Sequence, residues 1–269
     1  MSLTRSGASA RPEKPRASLA LPIGLLSFLV ISWASLSEAF GIGLDLGALA
    51  DSITRGAGIL GELLAPNWSF LPRTLPAMLE TFQMAVIAAV IGCGIALPVA
   101  FLASRVTAPN VPTFIGDRAL LSVIRAIPDI LYALIFVAAV GIGPLAGIMA
   151  LVLFNVGVVA KLLSETVDGI DPGPIEAARA GGANRTQTVR WAVLPQVLPN
   201  YVAYSLYTFE LNIRASTVIG ITGAGGIGNQ LFTQYRFFNW ENVSVIVVEL
   251  FVLVFLIEYV SIWLRRRLV

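Results

Sequence analysis

The sequence predicts an all-α, polytopic membrane protein with six transmembrane helices. Of its 269 residues, 57% are hydrophobic and 13% are charged. Soluble domains carry about 25% charged residues, so this chain has too few to cover a water-facing surface. Six mostly apolar segments reach the length of about 20 residues that crosses a bilayer, and turn-forming stretches separate them. They are residues 19–36, 75–103, 118–140, 144–163, 201–221 and 243–264.

Basic side chains predict which side of the membrane each loop occupies. If both ends of the chain are cytoplasmic, twelve lysine and arginine residues fall on the inner side and three on the outer side. Short cytoplasmic loops of membrane proteins are enriched in these residues. We therefore predict a multi-pass protein of the plasma membrane with both termini in the cytoplasm.

The ends of the chain and its first loop have their own patterns. Residues 1–18 are predicted to form a disordered, basic cytoplasmic tail, and residues 265–269 a basic cytoplasmic end. The first apolar segment, 19–36, is either a transmembrane helix or a cleaved signal peptide, because the small residues of "ASLSEA" follow it. The outer loop, 37–74, holds either an amphipathic interfacial helix or a loop packed on the protein. Its apolar residues at helical spacing are Leu46, Leu49, Ala50, Ile53, Ala57, Leu60 and Leu64.

The segment "PIEAARAGGANRTQTVRWAVLP", residues 174–195, interrupts the apolar pattern on the predicted cytoplasmic side. Pro174 suits the first turn of a helix, where Glu176 meets the positive end of the helix dipole. The alanine-rich stretch that follows ends at two glycines. Asn184, with Gln187 three residues later, has the spacing of a helix cap. The segment is therefore predicted to form two short cytoplasmic helices joined by a glycine elbow.

This segment resembles the EAA motif of ABC-importer permeases. The motif reads Glu-Ala-Ala, three residues, Gly, nine residues, an apolar residue, any residue and Leu-Pro, and Ala192 stands where Ile is usual. The resemblance extends over residues 75–264 through "SVIRAIPDILYALIF", "STVIGITGAGGIGNQLF" and "YRFFNWENV". The combination of these segments is most similar to the phosphonate-importer branch of the family. Permeases for methionine and other small solutes are the alternative. The matching residues are Glu176, Ala177, Ala178, Gly182, Leu194 and Pro195.

The resemblance implies a fold and a set of partners. The fold is that of a type I importer, with five core spans in residues 75–264 and a coupling loop at 171–195. A second permease subunit is expected, a copy of this chain in preference to a different one. On the outer side of the bacterial inner membrane a solute-binding protein would deliver the solute. A cytoplasmic ABC ATPase dimer would hold ATP and Mg²⁺ and grip the loop, so no catalytic residue, metal or cofactor is expected in this chain. Lipid surrounds the bundle, and nucleic acid is not expected as a partner.

Residues that bind metals or nucleotides are scarce. The sequence has no histidine and one cysteine, Cys93, which excludes His/Cys metal sites and Cys–His or Ser–His catalysis. Neither Lys14 nor Lys161 follows a glycine, so the chain has no phosphate-binding loop. "GAGGIG" matches a dinucleotide fingerprint by letter only, because that fingerprint must follow a strand. By resemblance, these glycines let an outer loop fold tightly over a pathway. They are Gly223, Gly225, Gly226 and Gly228.

Charged side chains within the predicted spans need a partner or a water-filled cavity. Glu210 and Arg214 lie four residues apart, a spacing that favours pairing on one helix face, with Asn212 nearby. Arg125 and Asp129 form a second set with the same spacing. Either these residues line a translocation pathway that favours anions, or they lock helices or subunits together.

Two other classes of function use different residues. A gradient-driven secondary transporter would use Glu210 as a proton or ion site near mid-membrane. A membrane-bound enzyme would need a reactive constellation that this sequence lacks. Neither class requires the EAA pattern. Glu249 and Glu258, in the last span, have no assigned role.

Overall fold

The computed structural model describes residues 20–37 and 46–268, and over these residues the chain is helical and contains no strand. The basic tail predicted at residues 1–18 lies outside them. The helices are α1 (Ala20–Leu36), α2 (Leu46–Leu63), α3 (Leu71–Leu102), α4 (Val111–Ala126), α5 (Asp129–Val140), α6 (Pro144–Asp168), α7 (Gly173–Ala180), α8 (Arg185–Thr188), α9 (Leu194–Gly220), α10 (Gly226–Arg236) and α11 (Trp240–Leu268).

The chain divides near Gly58 into two compact units. The first unit contains α1, an apolar helix of 17 residues, and most of α2. A helix therefore exists where the outer loop was predicted to hold one, and its place on the membrane surface stays a prediction. The second unit holds the remaining helices and every candidate site.

Within the described residues, three helices are long and apolar enough to cross a membrane: α3, α6 and α11. The helices α4 and α5 meet the same criterion only when taken together. α9 is less apolar because Glu210, Asn212 and Arg214 interrupt it. The total of six spans therefore stays a prediction.

The prediction that residues 118–140 form a single helical span is wrong. It is broken between α4 and α5, whose axes differ in direction by 89°. Ile127 has an extended backbone, with ψ of 125°, and Pro128 follows it. Proline disfavours the helical conformation of the residue before it and lacks an N–H to donate. The break therefore bends the chain between α4 and α5.

The core of the second unit is the contact of α3 with α6 and α9. Small residues line α3 at this contact, including Ala85 and Ala88, which are fully buried. Small side chains let helix backbones approach closely in membranes. Asn155 of α6 donates from Nδ2 to the Ala88 carbonyl at 2.9 Å, and Asn212 of α9 donates to the Ala85 carbonyl at 3.2 Å. These bonds lie roughly halfway along α3, and they fix how far α6 and α9 are shifted along their axes relative to α3.

Candidate coupling loop and translocation site

The first helix of the coupling loop is anchored on one face and open on the other. α7 begins after Pro172, and the Asp171 carboxylate accepts a hydrogen bond from the Gly173 N–H at 2.9 Å. Ile175 is buried in a hydrophobic cluster that includes Leu121 and Val193 and is called here the cluster below the loop. Glu176 and the following alanine are exposed. α7 therefore presents its acidic residue and small side chains to the surroundings.

The glycine elbow and the helix cap predicted for this loop are present, but α8 continues without a break into a π-helical turn and α9 instead of forming a separate short helix. Gly182 has φ of +81°, a conformation that favours glycine, and the Ala183 N–H donates to the carbonyl of Ala178 at 3.0 Å. Asn184 and Gln187 form the predicted capping box, with bonds of 2.9 and 2.8 Å. The contact of this loop with an ATPase stays a prediction.

The end of the motif leads directly into a long helix. Val189–Val193 form a π-helical turn, and Leu194 and Pro195 begin α9, several residues before the predicted span at 201. Proline is tolerated there because the first turn of a helix needs no N–H donor. Ala192, which departs from the motif, is buried beside Val193 in the cluster below the loop. Sequence reasoning missed the π-helical turn.

Arg125 and Asp129 lie on either side of the break and do not form the pair expected of a continuous helix. Among the described residues, no ion pair joins them, because the i, i+4 geometry requires one helix. The Asp129 carboxylate instead accepts from the Ile130 N–H at 3.0 Å, at the start of α5. The Tyr132 hydroxyl donates to the Ile124 carbonyl that the break leaves free, at 2.7 Å. Arg125 and Asp129 both border a cavity of about 280 Å³.

Glu210 and Arg214 form the predicted ion pair on α9. The Glu210 side chain is 8% exposed and that of Arg214 is 53% exposed. The sequence analysis missed a third member, Arg265 of α11, whose guanidinium lies 4.0 Å from the other Glu210 oxygen. One carboxylate therefore faces two guanidinium groups, and the cluster carries a net positive charge where α9 meets the last turn of α11.

The outer glycine loop connects α9 to α10. Gly223, Gly225 and Gly226 have positive φ values of 89°, 82° and 69°. A Cβ atom on Gly228 would lie 2.1 Å from the carbonyl oxygen of Thr217, so the backbones touch at this point. The segment follows a helix, which rules out the dinucleotide fingerprint. Its glycines are required by turn geometry and close packing.

The two remaining acidic residues of α11 have different surroundings. Both carboxylate oxygens of Glu249 are buried, and they have no hydrogen-bond partner among the described residues. Glu258 is exposed. Of the two, only Glu258 is placed to face lipid or another subunit.

Comparison with known proteins identifies the family. Residues 96–269 match the family described as binding-protein-dependent transport system inner membrane component. The chain belongs to this family. Members of this transport-system family are inner-membrane components, so the chain is a multi-pass protein of the plasma membrane.

Relatives of this inner-membrane transport component include two permeases named for phosphorus compounds. The phosphate-import permease protein PhnE of Mycolicibacterium smegmatis is 41% identical over 223 residues, which cover 82% of this chain and 42% of that protein. The chain thus spans less than half the length of that relative. The phosphite transport system permease protein PtxC of Stutzerimonas stutzeri is 38% identical over 224 residues, covering 83% of this chain and 82% of that protein.

A solved structure of an inward-facing MetNI methionine ABC transporter contains a similar chain. The TM-score is 0.68 at 26% identity, and the match covers 76% of this chain and 99% of that one. The helical fold of an ABC permease is therefore shared, while sequence similarity is greater to the phosphate and phosphite permeases.

Proposed function

We propose that this chain is the permease subunit of an ATP-driven importer for phosphorus oxyanions, such as phosphonates, phosphite or phosphate. The observation that carries the proposal is the coupling loop, where Glu176, Ala177 and Gly182 of the EAA pattern are exposed and Leu194 and Pro195 begin α9. Identity of 41% and 38% to a phosphate-import and a phosphite permease supports the substrate class. Methionine is the alternative substrate.

The exposed face of α7 is suited to hold an ATPase. Glu176, Ala177 and Gly181 are exposed, whereas Ile175 anchors the opposite face. Alanine and glycine allow another protein to approach the helix backbone closely, and the Glu176 carboxylate offers a charge to a basic partner group. The helix would then move as a unit with the bound ATPase, because its buried face packs on the cluster below.

The translocation pathway would offer guanidinium groups to the anion. Arg125 borders the cavity at the α4–α5 break and has no carboxylate partner within the described residues. Arg214 shares the Glu210 carboxylate with Arg265. Planar guanidinium groups bind oxyanions through two parallel hydrogen bonds. A half-exposed arginine within a membrane span also needs water or an anion beside it, which the pathway supplies.

The complete importer would contain four further components. A solute-binding protein delivers the anion at the outer mouth, beside the glycine loop between α9 and α10. A second permease subunit, a copy of this chain, forms the other wall of the pathway. Two cytoplasmic ATPases hold ATP and Mg²⁺ and grip the coupling loops, and both termini of each permease lie in the cytoplasm.

Reconstitution into vesicles tests this function. The chain is purified with its ATPase and binding protein, and uptake of phosphate, phosphite, 2-aminoethylphosphonate and methionine is measured with and without internal ATP. ATP-dependent uptake of a phosphorus oxyanion is expected. If methionine is taken up in preference to the phosphorus oxyanions, methionine replaces them as the substrate. Uptake driven by an ion gradient alone, with no co-purifying ATPase, would refute the proposal and leave Glu210 as the residue to pursue.

A further inference from the structure

Groups that follow the end of α3, a side chain from the middle of α4 and the end of α6 meet at one carboxylate. Asp168, the last residue of α6, accepts through Oδ1 from the Ser104 hydroxyl and from the Arg105 N–H, both at 2.7 Å. Its Oδ2 accepts from Nη2 of Arg118, on α4, at 2.6 Å. These four residues are named the Asp168 corner. Since charge-assisted hydrogen bonds are short and strong, the corner fastens α3, α4 and α6 together next to the coupling loop.

Arg118 is held in place by more than this ion pair. Its Nε donates to the Ala103 carbonyl at 3.0 Å, and its guanidinium lies 4.6 Å from the centre of the Phe114 ring. The side chains of Arg118 and Asp168 are 28% and 21% exposed. A partly buried pair with both side chains fixed is weakened less by solvent and salt than an open surface pair. The corner is therefore a rigid connection.

The coupling loop has a second attachment to the same region. Arg185, the first residue of α8, donates to the carbonyl of Thr107 in the connection between α3 and α4. Thr107 is itself fixed, because its hydroxyl donates to the Phe101 carbonyl at 2.6 Å. Ile175 of α7 and Leu121 of α4 share one buried cluster. The loop is thus tied to α4 through Ile175 of α7, and to the connection between α3 and α4 through Arg185 after α7.

α4 runs from this corner to the break in the membrane. Arg118 and Arg125 lie seven residues apart on one helix, a distance of about 10 Å along its axis. Gly157 of α6 faces α4 near that end, where a Cβ atom would lie 2.9 Å from Ile124. A displacement of the corner therefore moves the Arg125 guanidinium at the cavity, because a helix of this length moves as a rigid body.

We infer that the Asp168 corner carries the movement of the coupling loop to α4, and so to Arg125 at the α4–α5 break. This inference rests on the proposed function. When the ATPases close and displace α7, the end of α6 moves with the loop, and α4 follows because Asp168 fastens it. Asp168 and Arg118 are positioning residues, which act on the anion only through Arg125.

The test compares the ATP consumed for each anion imported by the reconstituted importer. Asp168→Asn keeps an oxygen for the Ser104 and Arg105 donors and removes the charge that holds Arg118. Arg118→Gln removes the other partner, and Arg118→Lys keeps its charge. The matched control is Glu165→Gln, which breaks the 2.8 Å pair with Lys161 within α6 and joins no second helix.

Asp168→Asn and Arg118→Gln are expected to raise the ATP consumed per anion about tenfold, with ATPase binding retained. Arg118→Lys should restore part of the coupling, and Glu165→Gln should match the unmodified chain. If uptake and ATP hydrolysis fall in proportion, or if the ATPase no longer co-purifies, the corner only shapes the loop and the inference is wrong. Failure of the proposed function is distinct, since the unmodified importer would then show no ATP-driven uptake.

A distance measurement gives an independent check in the same complex. With Cys93 replaced by Ser, spin labels are placed at Ser122 on α4 and Ala180 on α7, both exposed. The distance between the labels should stay constant when ATP is added to the unmodified corner and should change in Asp168→Asn. An ATP-dependent change with the corner intact would show that the loop moves without α4 and would overturn the inference.

Discussion

The contact between α3 and α6 makes a sharp prediction for Gly92→Ala. A Cβ atom on Gly92 would lie 2.5 Å from the Asn155 Cβ and 3.0 Å from the Val152 carbonyl oxygen. Carbon atoms in contact are separated by about 3.5–4.0 Å, so the two helices must move apart by about 1 Å. That shift lengthens the 2.9 Å bond from Asn155 to the Ala88 carbonyl to about 4 Å, beyond hydrogen-bonding distance.

The expected cost is the sum of two effects. Overpacking of a tight core contact costs about 1–3 kcal/mol, and loss of a hydrogen bond between membrane helices costs about 0.6 kcal/mol. We expect Gly92→Ala to lower the free energy of unfolding by about 2–4 kcal/mol. For a chain of this size that corresponds to a fall of roughly 4–16 °C in the unfolding midpoint.

Cys93 provides the assay and Gly94 the control. The Cys93 thiol is 4% exposed and is the only cysteine, so its reaction with a fluorogenic maleimide during heating reports unfolding. Gly94 flanks the same cysteine, and a Cβ there meets nothing within 4 Å. Gly94→Ala should leave the midpoint unchanged or raise it, because alanine is the better helix former. Equal midpoints for the two variants would refute the packing described for α3 and α6.

The remaining predictions concern the loops and the buried charge. Glu176→Arg should abolish co-purification of the ATPase while leaving the thiol-detected unfolding midpoint unchanged, and retained binding would contradict the role given to α7. Gly226→Ala should lower that midpoint by several degrees, because φ is +69° and a Cβ would lie 2.5 Å from the Thr81 hydroxyl; a stable variant would contradict the loop geometry. Arg214→Gln should destabilise the protein by about 1–3 kcal/mol, since it leaves Glu210 buried without its nearer partner. The double variant with Glu210→Gln should regain part of this loss, measured by the same midpoint, and no recovery would argue against the pair.

Much of the coupling loop could be predicted because its signals are local. The glycine elbow at Gly182 and the box formed by Asn184 and Gln187 depend on residues within a few positions of each other. The Glu210–Arg214 pair has the same property, since both residues lie on one turn of one helix. By contrast, the Arg125–Asp129 pair was predicted from the same spacing and is absent, because the backbone at Ile127 leaves the helix.

The sequence by itself determined that this protein is helical and lies in a membrane, because long apolar segments are a local signal. It also determined where the coupling loop interrupts those segments, because helix caps and glycines act within a few residues. The tertiary structure decided which distant groups meet. It bent α4 against α5, brought Arg265 to Glu210, and fastened Asp168 to Ser104, which is 64 residues away along the chain. Such contacts depend on how helices pack side by side, and no periodic pattern within one helix specifies which residue of another helix will lie opposite.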